Sequence, residues 1–423
     1  MSPTIIAFQG TECKSRVAMI SQRNHPLAFF TQTGKAIKFL NTKQKKRPAI
    51  ILISIKTETP NPKPRSAQLC QKIAANYQHT KYTHLQYNMA PSRTSPPNDT
   101  SADGPTPGKS IWTIESIPGK GKGVMAAIDI KPGKLLISEA PLLTTECITS
   151  MESTEKDIAQ ALRALPKDSQ RAFLSLYNNY PGKNPLSNII RSNGYPLGPG
   201  SEVGGVFANI SRVNHSCRPN AVHAWNPLLT VETVYAVRLI KAGEEITLSY
   251  HAGGPSTTRK EILKEGFGFD CTCEICSLPP AELKASDSRL IRAQTLDSTI
   301  GDPESVRYSP GKVLKNCKAL MGIYEEEGIK DDRLTRLYFD AFQVVNMHGD
   351  QARASVWARR YCEEKKRSAG RDSIDLLEMM PFVKNPSKHD SFGSTNDWKS
   401  GVKDVPKDLD KETFEEWLWK EQV

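Results

Sequence analysis

One stretch of this sequence combines amide, imidazole, phenol and thiol side chains in three short segments: NHSCRPN (residues 214–220), GEEITLSY (residues 243–250) and CTCEIC (residues 271–276). The first places an amide, an imidazole and a thiol close together at Asn214, His215 and Cys217. The second ends a strand-like run at Tyr250, and the third adds three thiols. We therefore expect the chain to fold around this stretch.

The closely spaced thiols predict a zinc site formed by Cys217, Cys271, Cys273 and Cys276. Structural zinc takes four ligands in a tetrahedron, and Cys217 is the best fourth ligand because the residues between read as strands that can fold back to it. A disulfide framework is weaker, since the chain opens without a secretory signal and holds nine cysteines, an odd number. Unliganded cysteines packed in a core are the other alternative.

Taken singly, the other polar residues have simpler explanations. Asn214 and His215 suit a polar turn with a buried histidine, and a tyrosine at the end of a strand, such as Tyr250, is more often a packing residue. The glycine-rich segment at residues 119–123 suits a plain hairpin turn, and Asn193 suits a turn before Gly194. The order of these segments along the chain favours a functional site.

That order resembles the SET-domain protein methyltransferases, and within them the SMYD-like branch and the fungal SET proteins that lack a MYND zinc finger. Four blocks occur in the family's order: SIPGKGKGV (residues 116–124), NGY (193–195), NHSCRPN, and GEEITLSY with its cysteine tail. The resemblance covers about residues 112–278. It implies an α+β fold, in which a SET-domain β-sheet assembly with a helical insert and a zinc-binding post-SET tail precedes an α-helical C-terminal domain.

The same resemblance implies a protein-lysine N-methyltransferase that uses S-adenosylmethionine. It assigns Tyr250 to catalysis, as the hydroxyl that orients the lysine amine, and it makes the zinc structural. Cofactor binding is expected from Lys120, Gly121, Lys122, Asn193, Asn214, His215 and Phe269. Phe267 stands where several relatives carry a tyrosine that lines the lysine channel, so the number of methyl groups added stays open.

The expected partner is a lysine-containing protein or peptide, with a histone as one candidate, in the nucleus or the cytoplasm. Neither membrane association nor direct nucleic-acid binding is expected. A non-catalytic SET-fold module that binds peptide or chromatin is the main alternative, and a helical scaffold with an incidental zinc knot is the next. The presence together of Tyr250, Asn214 and His215 favours the enzyme.

The net charge of +11 belongs to the N-terminal segment. Residues 1–100 hold 15 Lys+Arg and 3 Asp+Glu, which leaves 42 against 43 for the rest of the chain. We predict that residues 1–110 are a disordered basic segment and linker, with translation from Met89 as an alternative start. The basic cluster at residues 43–48 is interpreted either as a nuclear-import or nucleic-acid-binding patch or, preferably, as a solvated tail.

The resemblance implies a SET domain at residues 111–250, with its helical insert at about 150–200, and a zinc region at 251–280. Hydrophobic periodicity predicts the individual strands and helices. Strands are predicted at residues 111–117, 124–128, 135–138, 221–225 and 228–239. A helical domain follows at residues 281–385, with helices at 310–327, 331–347 and 351–367, and then a loop and short terminal helix at 386–423. These helix pairs resemble the tetratricopeptide-like domain of SMYD proteins, and a plain bundle is the alternative.

Overall fold

The computed structural model describes residues 110–421. The predicted disordered segment, including the basic cluster at residues 43–48, therefore lies outside the described residues apart from Ser110. No helix within residues 110–421 has the length and apolar character needed to cross a lipid bilayer.

Within residues 110–421, ten short strands form three small sheets. They are β1 (Trp112–Ile117), β2 (Gly121–Ala126), β3 (Leu135–Glu139), β4 (Leu143–Thr144), β5 (Gly194–Pro196), β6 (Gly204–Val206), β7 (Asn214–His215), β8 (Ala221–Asn226), β9 (Val231–Ala236) and β10 (Glu245–Leu248). The sheets have the strand orders β1-β2-β10-β7, β3-β9-β8 and β4-β6-β5. Strands β7 and β10 run parallel, with Asn214 opposite Thr247. This pairing brings the NHSCRPN segment beside the strand that leads to Tyr250.

Eleven α-helices account for most of the other described residues. They are α1 (Thr154–Ala164), α2 (Lys167–Leu174), α3 (Pro185–Asn193), α4 (Ser256–Phe267), α5 (Pro280–Ile300), α6 (Pro303–Tyr308), α7 (Pro310–Glu326), α8 (Asp332–Met347), α9 (Gln351–Ala369), α10 (Ile374–Lys384) and α11 (Lys411–Leu418). Helices α1 to α3 form the predicted insert. The predicted α+β architecture with a helical C-terminal region is confirmed.

The sheets and the helical region have separate hydrophobic cores. Val124 and Ala126 of β2 and Ile246 and Leu248 of β10 are buried in one hydrophobic core, since residues two apart on a strand share a face. In the insert, Ile158 and Phe173 are fully buried. The helical region packs around Phe342 and Trp357. Each region therefore buries apolar surface of its own, which is the main stabilising contribution to folding.

The three long C-terminal helices are confirmed to within two residues at each end. Gly328 and Gly349 follow α7 and α8 with φ of 65° and 80°. This left-handed conformation ends helices and costs glycine no steric strain. Asp350 then starts α9, where its carboxylate accepts a hydrogen bond from the Arg353 backbone amide at 3.2 Å. The boundaries of this region thus follow from local capping chemistry.

Two local predictions differ from the structure. The zinc region contains α4, which was not predicted; it buries only Ser256, Arg259 and Leu263, so its sequence lacks an apolar stripe. The strand predicted at residues 228–239 is confined to β9. Asn226 Oδ1 accepts hydrogen bonds from the amides of Leu228 and Leu229, and this interaction holds those apolar residues in an exposed turn.

The end of the chain joins the helical core, although residues 386–423 were predicted as a separate segment. Trp419 is 2% exposed, and its ring centroid lies 4.5 Å from that of Trp357. We predict that Trp419→Ala lowers the free energy of unfolding of the helical region by about 3–5 kcal/mol, because it leaves a cavity. Chemical denaturation monitored by helical circular dichroism measures this. Tyr308→Ala, at a residue that is 74% exposed, is the control. Equal stability of Trp419→Ala and the wild type would contradict the packing.

Candidate active site and zinc site

The four predicted cysteines lie together. Cys217 Sγ is 3.5 Å from Cys276 Sγ and 3.9 Å from Cys271 Sγ, and all four sulfur atoms lie within 4.8 Å of one another. Sulfur ligands at about 2.3 Å from a tetrahedral zinc ion stand about 3.8 Å apart. The four thiols therefore fit zinc, and a closed set of four protein ligands is typical of a structural metal.

Two imidazoles contact the same sulfur atom. His215 Nε2 is 3.4 Å and His251 Nε2 is 3.3 Å from Cys217 Sγ. The Nδ1 atom of His215 accepts the Tyr250 backbone N–H at 3.0 Å, and that of His251 accepts the Gly253 N–H at 2.9 Å. The proton of each neutral ring therefore sits on Nε2 and is donated to sulfur. Both histidines are thus hydrogen-bond donors to the Cys217 sulfur, an arrangement that is common around metal ligands.

Negative charge on the cysteines is offset by a positively charged side chain of the protein. Burial lowers the pKa of His215 to about 4 and that of His251 to about 3, so both rings are neutral at physiological pH. The positive group is Arg259, which is 2% exposed and lies with Nη2 3.9 Å from Cys276 Sγ. Hydrogen bonds among the four thiols lower the pKa of Cys273 and of Cys276 and, together with burial, raise that of Cys217 and of Cys271. Two of the thiols therefore lose their protons readily, and the other two would lose theirs on binding a metal.

The glycine loop between β1 and β2 is tied to the NHSCRPN segment. Gly119 and Gly121 both have a φ of 75°, a conformation that other residues adopt only with strain. Asn214 Nδ2 donates to the Lys122 carbonyl at 3.2 Å and to Glu245 Oε1 at 2.8 Å. Lys120 Nζ pairs with Glu245 Oε2 at 2.6 Å. Three residues predicted to bind the cofactor are thus linked in one network.

A cavity of about 860 Å³ lies between the glycine loop, the insert and the cysteine loop. This volume is within the range of about 300–1,000 Å³ that is usual for sites that bind small molecules and cofactors. Its lining includes every residue predicted for catalysis or cofactor binding: Lys120, Gly121, Lys122, Asn193, Asn214, His215, Tyr250 and Phe269. We call it the cofactor cleft. Residues at six separate places in the sequence converge on it.

Tyr250 lies in the wall of the cleft beside the metal site. Its hydroxyl donates to the Val213 carbonyl at 2.7 Å, and its ring centroid is 4.8 Å from Phe267 and 5.3 Å from His215. Burial, with a smaller contribution from the charge of Glu245, raises the pKa of this hydroxyl. Tyr250 is therefore a neutral phenol at physiological pH. Its proton is committed to a carbonyl, and its oxygen can still accept a hydrogen bond.

Phe269 and Asn193 both line the cofactor cleft. Phe269 is half-buried, with its ring centroid 6.1 Å from that of His215. Asn193 is the last residue of α3, and its Nδ2 donates to the carbonyls of Tyr177 and Ile189 at 2.7 and 2.8 Å. The Asn193 amide protons therefore hold the insert together, and only its oxygen can act toward a ligand.

Several residues of the site were missed from the sequence. Glu245 lies in the GEEITLSY segment, and its position at the start of the strand that leads to Tyr250 could have indicated that it belongs to the site. Arg259 gave no signal, because it lies in the unpredicted helix α4. Tyr180 also links two walls of the cleft, since its hydroxyl donates to the Gly266 carbonyl. That contact joins the insert to the end of α4.

Comparisons with known proteins indicate the family to which the chain belongs. The family model described as "SET domain" matches residues 121–251. The chain is 35% identical to histone-lysine N-methyltransferase set5 of Schizosaccharomyces pombe over 282 residues, which are 66% of this chain and 85% of that protein. It is 28% identical to N-lysine methyltransferase SMYD2 of Homo sapiens over 214 residues, which are 48% of this chain and 47% of that protein.

Among solved structures, a putative histone methyltransferase of Plasmodium falciparum matches with a TM-score of 0.21 and 19% identity, over 34% of this chain and 96% of that one. The Neurospora SET domain protein DIM-5 matches with a TM-score of 0.19 and 19% identity, over 33% of this chain and 52% of that one.

The match to set5 spans most of that protein, so the chain belongs to the SET-domain protein methyltransferases. It is an enzyme of that family, and the predictions of fold and enzyme class are confirmed.

Proposed function

We propose that the cofactor cleft is the S-adenosylmethionine site of this protein-lysine N-methyltransferase, and that Tyr250 orients the lysine amine that is methylated. The observation that supports this most directly is the convergence of eight predicted residues on a single cleft. S-adenosylmethionine supplies a methyl group that is already electrophilic, because it is bonded to a sulfonium. The chain's own residues then have to bind, orient and exclude water.

Tyr250 acts in this proposal as a fixed hydrogen-bond acceptor. Its proton is held by the Val213 carbonyl, so its oxygen lone pairs accept an N–H of the neutral lysine amine and aim the nitrogen lone pair at the methyl group. It does not act as a base, because burial keeps it protonated. The ring of Phe267 packs on Tyr250 and adds no hydroxyl of its own. Orientation of this kind lowers barriers by restricting the reacting groups to a productive geometry.

Cys217, Cys271, Cys273 and Cys276 bind one structural zinc ion in the same proposal. Zinc binding would hold Phe269, two residues before Cys271, against His215, and so keep one wall of the cleft in place. The hydrogen bond from Tyr250 N to His215 Nδ1 connects this wall to the catalytic tyrosine. The metal takes no part in the chemistry, because its four positions are filled by protein sulfur.

The proposed substrate is a lysine-containing protein, and a histone is the first candidate. The support is the printed activity of set5, which is named a histone-lysine N-methyltransferase. A nuclear location fits such a substrate, and a cytoplasmic one fits other proteins. Because residue 267 is phenylalanine where several relatives carry tyrosine, the number of methyl groups added to each lysine has to be measured.

Transfer of labelled methyl groups from S-adenosylmethionine tests this function. The full-length chain is incubated with core histones and, separately, with a cell extract, and labelled lysines are identified by mass spectrometry. We expect label on lysine residues, on histones in the first reaction. Label in the extract but not on histones would refute the histone proposal alone. No transfer by zinc-loaded protein to either would refute the function.

A further inference from the structure

A carboxylate outside the lining of the cofactor cleft contacts two residues of that lining. Glu245 Oε1 lies 2.8 Å from Asn214 Nδ2, and Oε2 lies 2.6 Å from Lys120 Nζ. The Glu245 side chain is only 16% exposed. We propose that Glu245 is a positioning residue, which turns the Asn214 carboxamide so that its oxygen accepts the α-ammonium group of S-adenosylmethionine. This inference rests on the function proposed above.

The orientation of Asn214 follows from its two acceptors. Its Nδ2 carries two protons; one is donated to Glu245 and the other to the Lys122 carbonyl at 3.2 Å. A reversed amide would place its oxygen against two other oxygens, which is repulsive. Among residues 110–421, Oδ1 accepts no hydrogen bond from a protein group. Asn214 therefore presents an acceptor to the cleft and no donor.

The chemistry of an acceptor selects one end of the ligand. In the amino-acid part of S-adenosylmethionine, the ammonium only donates hydrogen bonds and the carboxylate only accepts them. Asn214 Oδ1 can hold the ammonium and would repel the carboxylate. The carboxylate is then left to donors, of which the backbone amides of the glycine loop and Lys120 are the nearest candidates. Glu245 thus decides which way round the methionine end lies.

Strand β2 is shaped to admit this contact. A Cβ atom built on Gly123 would lie 2.7 Å from Asn214 Nδ2 and 2.9 Å from Glu245 Oε1. Both distances are shorter than real side-chain contacts, so any larger residue would displace the pair. The neighbouring residues of β2 and β10 are paired in register, Glu245 opposite Met125. The amide and the carboxylate therefore meet in a space that only glycine leaves open.

Calorimetric binding of two ligands to the full-length, zinc-loaded chain tests the inference. The ligands are S-adenosylhomocysteine and its analogue without the α-amino group. For the wild type, removing the amino group should weaken binding by about 10- to 100-fold, as for a hydrogen bond to a charged group. For Glu245→Ala, binding of S-adenosylhomocysteine should be weaker, and removing the amino group should cost little more.

Conservative variants separate positioning from a general loss of structure. Glu245→Gln keeps an oxygen that accepts from Asn214 Nδ2 and should retain most of the discrimination between the ligands. Glu265→Gln, at an exposed residue of α4, is the control for charge and should match the wild type. If Glu245→Ala discriminates as strongly as the wild type, the inference is overturned even though the function stands. If the wild type binds neither ligand, the proposed function itself fails.

Discussion

Replacing Tyr250 with phenylalanine should lower the rate constant for methyl transfer by about 100-fold, the loss that misplacement of a reacting group by about 1 Å can cause. The substitution removes only the hydroxyl oxygen that accepts the lysine N–H. Ring packing against Phe267 and His215 is retained, and the Val213 carbonyl loses its donor. Single-turnover transfer at saturating S-adenosylmethionine and substrate measures this rate constant.

The affinity for S-adenosylhomocysteine should change little in Tyr250→Phe, because the proposed ligand contacts lie at other residues. Tyr324→Phe is the matched control, since it removes a hydroxyl from a buried tyrosine in the helical core. That variant should transfer methyl groups at the wild-type rate. A folded Tyr250→Phe protein with an unchanged rate constant would remove Tyr250 from catalysis.

Loss of one proposed zinc ligand should have the second large effect. Cys273→Ser should reduce the zinc content from one ion per chain to a small fraction, since a hydroxyl does not ionise as a thiol does. Loss of an outer partner of a metal site already costs about 10–100-fold in affinity, and a direct ligand costs more. Because metal affinity is coupled to folding of the surrounding segment, the loop with Phe269 should also lose its position.

Metal analysis by mass spectrometry and calorimetric binding of S-adenosylhomocysteine measure both effects. Cofactor affinity should fall together with zinc. Cys147→Ser is the matched control, because Cys147 lies just before the insert and packs against the core of the insert, away from the four thiols. A Cys273→Ser protein that keeps one tightly bound zinc ion would show that these four thiols are not the ligands.

Part of the site could be predicted from local spacing in the sequence, and the rest was predicted from the resemblance to the SET family. Cys271, Cys273 and Cys276 are nearly adjacent, and Cys217 was the best candidate for the fourth ligand because the strands between can fold back to it. Gly119 and Gly121 lie in a turn that requires positive φ. The long helices end at Gly328 and Gly349 for the same reason. In each case a short segment dictates its own conformation.

Other parts of the site could not be predicted because they depend on tertiary contacts. Helix α4 has no apolar stripe, and its buried Arg259 donates hydrogen bonds to the Gly254 carbonyl and to the Cys276 sulfur. In the sequence His251 resembles an ordinary polar loop residue, and only the fold shows that its Nε2 contacts Cys217. Trp419 lies in the segment predicted as a loop and short terminal helix, and its partner Trp357 lies far away in sequence. The roles of these residues depend on side chains that are distant in sequence and cannot be inferred from the local segment.

Titration of S-adenosylmethionine into the full-length, zinc-loaded chain tests the cofactor cleft most directly. We predict one binding site per chain, with affinity weakened by Asn214→Ala and by Phe269→Ala and unchanged by Phe339→Ala in the helical region. Binding that is absent, or that is unaffected by both substitutions in the cleft, would contradict the account.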